Sequence, residues 1–291
     1  MSISLSRRHV LTAGAAFALA GCSPEFKKVA DMAGRMLEIK KRHGGRVGVA
    51  AFQGSKTVDL DSGERFAMCS TFKWVLAAAI LQQADQGKLS LAKEIAYGQG
   101  DLLDYAPVTK AHVAAGKMTV ADLCGAAVSL SDNTAANLLL PLVGGPAGLT
   151  QFVRGLGDTA TRFDRNEPTL NTNVDGDERD TTTAAAMAGL LKTVFTTPVL
   201  KPASLDQLKA WMVATSTGAK RIRSVLPSSW TAGDKTGTGE NGAVNDVAVI
   251  WPDKGDPIFM AIYTSGGTLD AAEREAIVAE VAKLALDVLK I

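Results

Sequence analysis

Apolar positions follow a helical period in some stretches of the chain and a strand period in others. Over residues 25–42, Phe26, Val29, Ala30, Met32, Ala33, Met36, Leu37 and Ile39 recur near every 3.6 residues. That spacing predicts an amphipathic helix, ended by Gly44-Gly45. Residues 46–53 (RVGVAAFQ) and 56–60 (KTVDL) read as two strands around Gly54-Ser55, a two-residue hairpin turn. The stretch from about 70 to 225 is rich in Ala and Leu and reads as mainly helical. Residues 230–235, 244–251 and 258–264 predict three more strands. Gly266-Gly267 then breaks the chain before a long amphipathic helix over 269–289. The order is helix, two strands, many helices, three strands, helix. The simplest packing joins both chain ends in a sheet lobe (25–65 and 220–291) and inserts a helical lobe (66–219). A site is then expected in the cleft between lobes.

The 291 residues carry 31 Lys+Arg against 30 Asp+Glu, with 46% hydrophobic residues and a mean hydropathy of +0.10. This balance excludes a partner held by a basic field, so nucleic acid is not expected. The first 22 residues read as an address rather than a fold element. Arg7-Arg8 supplies charge, and residues 10–20 form an uncharged run too short to span a bilayer. The arginine pair resembles a twin-arginine export signal, and Leu19-Ala20-Gly21-Cys22 resembles a bacterial lipobox with Cys22 as a lipid anchor. Export to the periplasm is therefore expected, with residues 23–291 as one domain and a monomer. Cys69 and Cys124 are the other cysteines, and no disulfide is expected between them. His9, His43 and His112 lie far apart and no Cys-x-x-Cys occurs. No metal or other cofactor is expected.

Three short motifs carry candidate chemistry. Ser70-Thr71-Phe72-Lys73 opens an apolar helix, and residues three apart share a helix face, so the Ser70 hydroxyl and Lys73 ammonium can meet. The helix N-terminus favours an oxyanion and a lysine able to act as base. Ser131-Asp132-Asn133 precedes a helical run over 134–140. Lys235-Thr236-Gly237 ends a strand, where the glycine permits close approach of a ligand and the lysine adds a cation. Singly, each motif is compatible with a helix cap or a strand end. In this order and at these intervals they form the established signature of class A β-lactamases and penicillin-binding proteins.

Over essentially its whole mature length the chain resembles a class A serine β-lactamase. Glu167-Pro168-Thr169-Leu170-Asn171 resembles that family's fourth element, on its Ω-loop. The resemblance implies an α/β (α+β) fold with a five-stranded antiparallel sheet flanked by helices plus an all-helical lobe. It also implies hydrolysis of the β-lactam amide of penicillins and cephalosporins, giving antibiotic resistance. Ser70 would be the nucleophile, and the N–H groups of Ser70 and Thr238 the oxyanion hole. Lys73 would be a base for acylation, in competition with Glu167, and Ser131 would relay a proton to the leaving nitrogen. Glu167 and Asn171 would activate the deacylating water. Lys235, Thr236, Gly237 and Thr238 would receive the substrate carboxylate, with Arg221 supporting them. Asn133 would bind the side-chain amide and Tyr105 would wall the cleft. Arg165 and Asp180 match the family's pair at the loop neck, and Arg223 reads as structural, facing Asp234. Cys69 lacks the disulfide partner of some carbapenem-hydrolysing members, since Gly239 stands at that position. Alternatives are a DD-peptidase or penicillin-binding protein, and a lipoprotein that senses lactams. An acyl-enzyme turns over only if a second base drives water onto the ester, and Glu167 supplies one.

Overall fold

The computed structural model describes residues 2–5 and 24–290. Strand β1 (Ser2–Leu5) comes first, then helix α1 (Pro24–His43) and the hairpin of β2 (Gly45–Gln53) and β3 (Lys56–Leu60). The insert holds β4 (Arg65–Ala67), α2 (Phe72–Asp85), β5 (Glu94–Ala96), α3 (Pro107–His112), β6 (Lys117–Thr119) and α4 (Val120–Ser129). It continues with α5 (Asn133–Leu139), α6 (Gly145–Gly155), β7 (Thr181–Thr183), α7 (Ala184–Thr196) and α8 (Pro202–Val213). The chain returns through β8 (Thr231–Thr238), β9 (Val244–Trp251) and β10 (Ile258–Gly266) to α9 (Ala271–Leu289). The predicted strands and terminal helices are all present, with ends moved by at most three residues.

The main sheet runs β1-β3-β2-β10-β9-β8. Five of these strands are antiparallel to their neighbours, as expected. The sixth, β1, lies parallel to β3 at the edge, with Ser2 opposite Thr57. An unpaired edge strand is a template for another strand, which is why β3 accepts it. The remaining positions of the predicted leader, and Cys22, lie outside the described residues.

Side-chain alternation divides the core between the two faces of the sheet. Along β10, Ile258, Met260 and Ile262 pack with Ile277, Val281 and Leu284 of α9. Phe259, Ala261 and Tyr263 point the other way, into the core shared with the helical lobe. In that lobe α2 is apolar on every side, and Phe72 to Leu81 are all buried. A helix of this kind sits in the middle of a core rather than on its surface. Its N-terminal turn, the 3-10 turn Cys69–Thr71, emerges at the boundary between the lobes beside β8.

Two small ladders are absent from the sequence reading. β4 pairs with β7, joining the approach to Ser70 to the end of the 162–180 loop, and the Met68 N–H donates to the Asp180 carbonyl at 3.0 Å. β5 pairs with β6 within the helical lobe.

Candidate active site

The turn at Cys69–Thr71 puts Ser70 at the head of α2. Cys69 holds a positive φ of 48°, a conformation side chains disfavour. Neighbouring groups hold it there. Asn245 on β9 donates to the Ala67 and Met68 carbonyls at 2.9 and 3.3 Å, and the Thr71 hydroxyl lies 2.9 Å from the Tyr263 hydroxyl. One helical turn on, the Lys73 ammonium reaches back to the Ser70 hydroxyl at 2.9 Å. The i, i+3 geometry expected from sequence is realised.

Lys73 is fully buried, and its ammonium is surrounded by oxygen. Its Nζ lies 2.9 Å from Glu167 Oε1, 2.8 Å from the Ser131 carbonyl, 2.5 Å from Asn133 Oδ1 and 3.5 Å from the Ser131 hydroxyl. Burial lowers the Lys73 pKa, and the Glu167 carboxylate beside it works in the opposite sense. A lowered pKa leaves more of the lysine in the neutral form, and only the neutral amine can accept a proton.

Glu167 is 2% exposed. The Ser70 hydroxyl donates to its Oε1 at 3.2 Å, and Asn171 Nδ2 donates to its Oε2 at 2.5 Å. The peptide linking it to Pro168 is cis. Asn137 on α5 fastens the Glu167 backbone from both sides, accepting from its N–H at 3.0 Å and donating to its carbonyl at 2.8 Å. Asn137 escaped the sequence reading, although it lies one helical turn from Asn133 on the same face. The neck of the loop is closed by Arg165 Nε donating to Asp180 Oδ2 at 2.6 Å, and Asp180 also accepts the N–H groups of Asp164 and Arg165.

Ser131 also has positive φ, 59°, and points its hydroxyl between the two lysines. Lys235 Nζ donates to it at 3.0 Å and to the Thr236 carbonyl at 2.9 Å. Asp132, fully buried, caps α5 through the Ala135 N–H at 2.8 Å and takes the Val108 and Thr109 N–H groups at 2.9 Å. The Asn133 N–H donates to the Tyr105 carbonyl at 3.0 Å. These bonds hold the Tyr105 loop against the cleft, where the Tyr105 ring is 51% exposed.

Strand β8 is the sheet edge facing Ser70, and alternation sorts its side chains. Lys235 and Gly237 face the nucleophile turn. A Cβ at Gly237 would fall 2.6 Å from the Met68 carbonyl and 3.0 Å from Thr71 Cγ2. The glycine therefore lets β8 close against the turn that carries Ser70, a packing role beside the ligand approach expected from sequence. Thr236 and Thr238 face the other way. The Thr236 hydroxyl lies 2.6 Å from that of Thr217, and Arg221 Nη2 donates to the Thr238 hydroxyl at 2.8 Å. Arg221 is 5% exposed and also donates to the Gly237 and Asn245 carbonyls at 3.1 and 2.7 Å, with Glu275 at 3.3 Å. Its fork is occupied, so it reaches the cleft through Thr238. Arg223 pairs with Asp234. Cys69 and Cys124 are free and buried, and burial pushes the Cys69 thiol up to about 12.

The structure thus joins Ser70, Lys73, Ser131, Asn133, Glu167, Asn171 and Lys235 in one hydrogen-bonded cluster. It packs Gly237 against the nucleophile turn, links Arg221 to Thr238, and holds the Tyr105 loop through Asn133, while Thr236 bonds Thr217 on the other face of β8. A model of the Beta-lactamase enzyme family matches residues 29–289. The chain is 39% identical over 285 residues to β-lactamase CTX-M-8 of Citrobacter amalonaticus, covering 97% of this chain and 98% of that one. It is 42% identical over 281 residues to β-lactamase Toho-1 of Escherichia coli, covering 96% of each. Among solved structures, an ancestral class A β-lactamase superposes with a TM-score of 0.85 at 52% identity, covering 88% of this chain and 99% of that one. Fold and site define a serine hydrolase working through an acyl-enzyme. The chain belongs to the class A β-lactamases, which open the β-lactam ring and confer antibiotic resistance.

Proposed function

We propose that this enzyme hydrolyses penicillins and cephalosporins through an ester on Ser70 that a Glu167-activated water cleaves. The observation that carries this reading is a buried carboxylate within 3.2 Å of the nucleophile hydroxyl and 2.9 Å of Lys73 Nζ. The substrate carboxylate lies at Lys235, Thr236 and Thr238, with Arg221 behind them, and Asn133 takes the side-chain amide. The Ser70 proton passes to Lys73 or Glu167, both in contact with it, as Oγ bonds to the lactam carbonyl carbon. The N–H groups of Ser70 and Thr238 receive the oxyanion. Such donors are each worth about 2.7–4 kcal/mol in related chemistry. The C–N bond then breaks, and the nitrogen takes the Ser131 proton, which the Lys73 or Lys235 ammonium replaces. A proton taken up by Glu167 in acylation passes to Lys73, 2.9 Å away, which leaves the carboxylate free again. In deacylation Glu167 takes a proton from a water bound by it and Asn171, the water oxygen bonds to the ester carbon, and Ser70 Oγ leaves with the proton that Glu167 took.

The test is turnover of a chromogenic cephalosporin by the purified enzyme, and no turnover defeats the reading. Glu167→Ala should acylate and stall, leaving a persistent mass adduct on Ser70, because the ester loses its base. Rapid release from that variant would assign deacylation to another group. A DD-peptidase generally lacks a carboxylate in this position. We further propose that the enzyme is exported to the periplasm as a monomer, with Cys22 as a lipid anchor after cleavage of the leader. That cleavage removes β1 and leaves the five antiparallel strands. Mass spectrometry of the mature N-terminus tests the anchor, and sedimentation the monomer.

A further inference from the structure

On the face of β8 opposite Lys235, two carboxyl groups are buried together. Thr236 stands opposite Asp246 in the β8–β9 ladder, and Asp234 lies two residues before Thr236. Asp234 and Asp246 are therefore diagonal neighbours on one face, close enough for the charge of Asp234 to act on Asp246. Both are completely buried. Each has one oxygen satisfied from the turn that covers them. Arg223 Nε donates to Asp234 Oδ1, and the Ile222 N–H donates to Asp246 Oδ2 at 3.1 Å. Asp234 Oδ2 and Asp246 Oδ1 have no donor. Gly218 lies directly over Asp234, where a Cβ would fall 1.9 Å from Oδ2. The cover is sealed from the side as well, since Thr215 donates to the Asp234 carbonyl at 2.7 Å.

We propose that Asp234 and Asp246 share one proton between these two donorless oxygens, making Asp246 a positioning residue for the substrate-carboxylate end of the cleft. A buried acceptor without a donor is costly, and two adjacent buried carboxylates cannot both stay ionised. One proton removes both penalties. Burial raises both carboxyl pKa values, and at Asp246 the Asp234 charge raises it further. The charged groups facing the pair are Arg221 and Arg223 from the covering turn and Lys235 across β8, with Glu275 of α9 reached through Arg221. With one carboxyl neutral, the cations exceed the anions by one. That leaves a net positive field at Thr236 and Thr238 for an anionic substrate. This role rests on the function proposed above, whereas the shared proton does not.

The experiment compares Asp246→Asn and Asp246→Ala in the full chain. Asn keeps an acceptor for Ile222 and an N–H for Asp234, and Ala keeps neither. Ala should raise KM for an anionic cephalosporin more than it lowers kcat, and Asn should bring KM back to within about threefold of wild type. Failure of Asn to rescue KM overturns the positioning role. The proton is read separately, by urea unfolding against pH. An acid whose pKa is raised on folding contributes stability fully below its unfolded value, and loses it as pH climbs towards the folded value. The unfolding constant of wild type relative to Asp246→Asn should therefore grow about tenfold per pH unit between about pH 5 and pH 7. A ratio that stays flat overturns the shared proton, whether or not the protein turns over lactams. Should either variant fail to fold, carboxyl carbon NMR shifts of wild type decide the matter. A protonated Asp signal at neutral pH supports the pair, and its absence refutes it.

Discussion

Lys73 and Lys235 approach the same hydroxyl, that of Ser131, at 3.5 and 3.0 Å, and neither touches solvent. Burial, and then the neighbouring Lys73 charge, lowers the Lys235 pKa to about 7, with Asp234 and Asp246 opposing the shift. Lysine carries its charge below that value and loses it above. The attraction for a substrate carboxylate should weaken on the alkaline side, so KM for an anionic lactam should rise from about pH 7 to about pH 9 while kcat moves less. Arginine keeps its proton throughout this range, so Lys235→Arg should flatten that rise in steady-state kinetics. A wild-type KM independent of pH would contradict the assignment.

Local signals account for the elements that present these groups. Thr119, Asp132, Thr183 and Asp270 cap the helices that follow them, each accepting an N–H from the first turn. Asp132 does more than cap, because it also accepts from α3 the N–H groups of Val108 and Thr109 and the Thr109 hydroxyl. Asp132→Ala should cost about 3 kcal/mol in urea unfolding, since the cap is lost and buried donors are left unpaired. The same change should loosen Tyr105 and raise KM. A loss under about 1 kcal/mol would mean that water replaces the carboxylate. Apolar runs bounded by turn residues located β2, β3, β9 and β10 almost to the residue, because both faces of the sheet are buried and these strands carry apolar side chains on each. β4, β5, β6 and β7 went unread. Three residues are too few to show a period.

At the scale of the whole molecule, the 162–180 loop brings Glu167 to Ser70 across 97 positions of sequence. The β4–β7 ladder anchors its end, the Arg165–Asp180 pair closes its neck and Asn137 holds the backbone of Glu167. Asp180 is nearly fully buried, so Asp180→Ala leaves Arg165 and two N–H groups without their acceptor. It should cost about 3–5 kcal/mol by thermal or urea unfolding. Deacylation should suffer first, seen as an acyl adduct that builds up at steady state in mass spectra. Wild-type stability in this variant would show that the ladder alone secures the loop.

The amino-acid sequence by itself determined the terminal helices, the long strands and the helical character of the stretch between them, through the pattern of their apolar positions. It also determined the Ser70–Lys73 contact, because three helical residues fix that distance without help from the rest of the chain. Tertiary packing decided everything that depends on separation. It set Lys235 against Ser131, 104 positions apart, and spent the Arg221 fork on backbone carbonyls and Glu275. It turned the bare face of Gly237 towards the Met68 carbonyl, and it buried Asp234 and Asp246 side by side under one turn. Neither the strength of a charge nor the use of a glycine is written in a residue's identity. Both follow from which atoms the folded chain places next to it, and from whether water is shut out there.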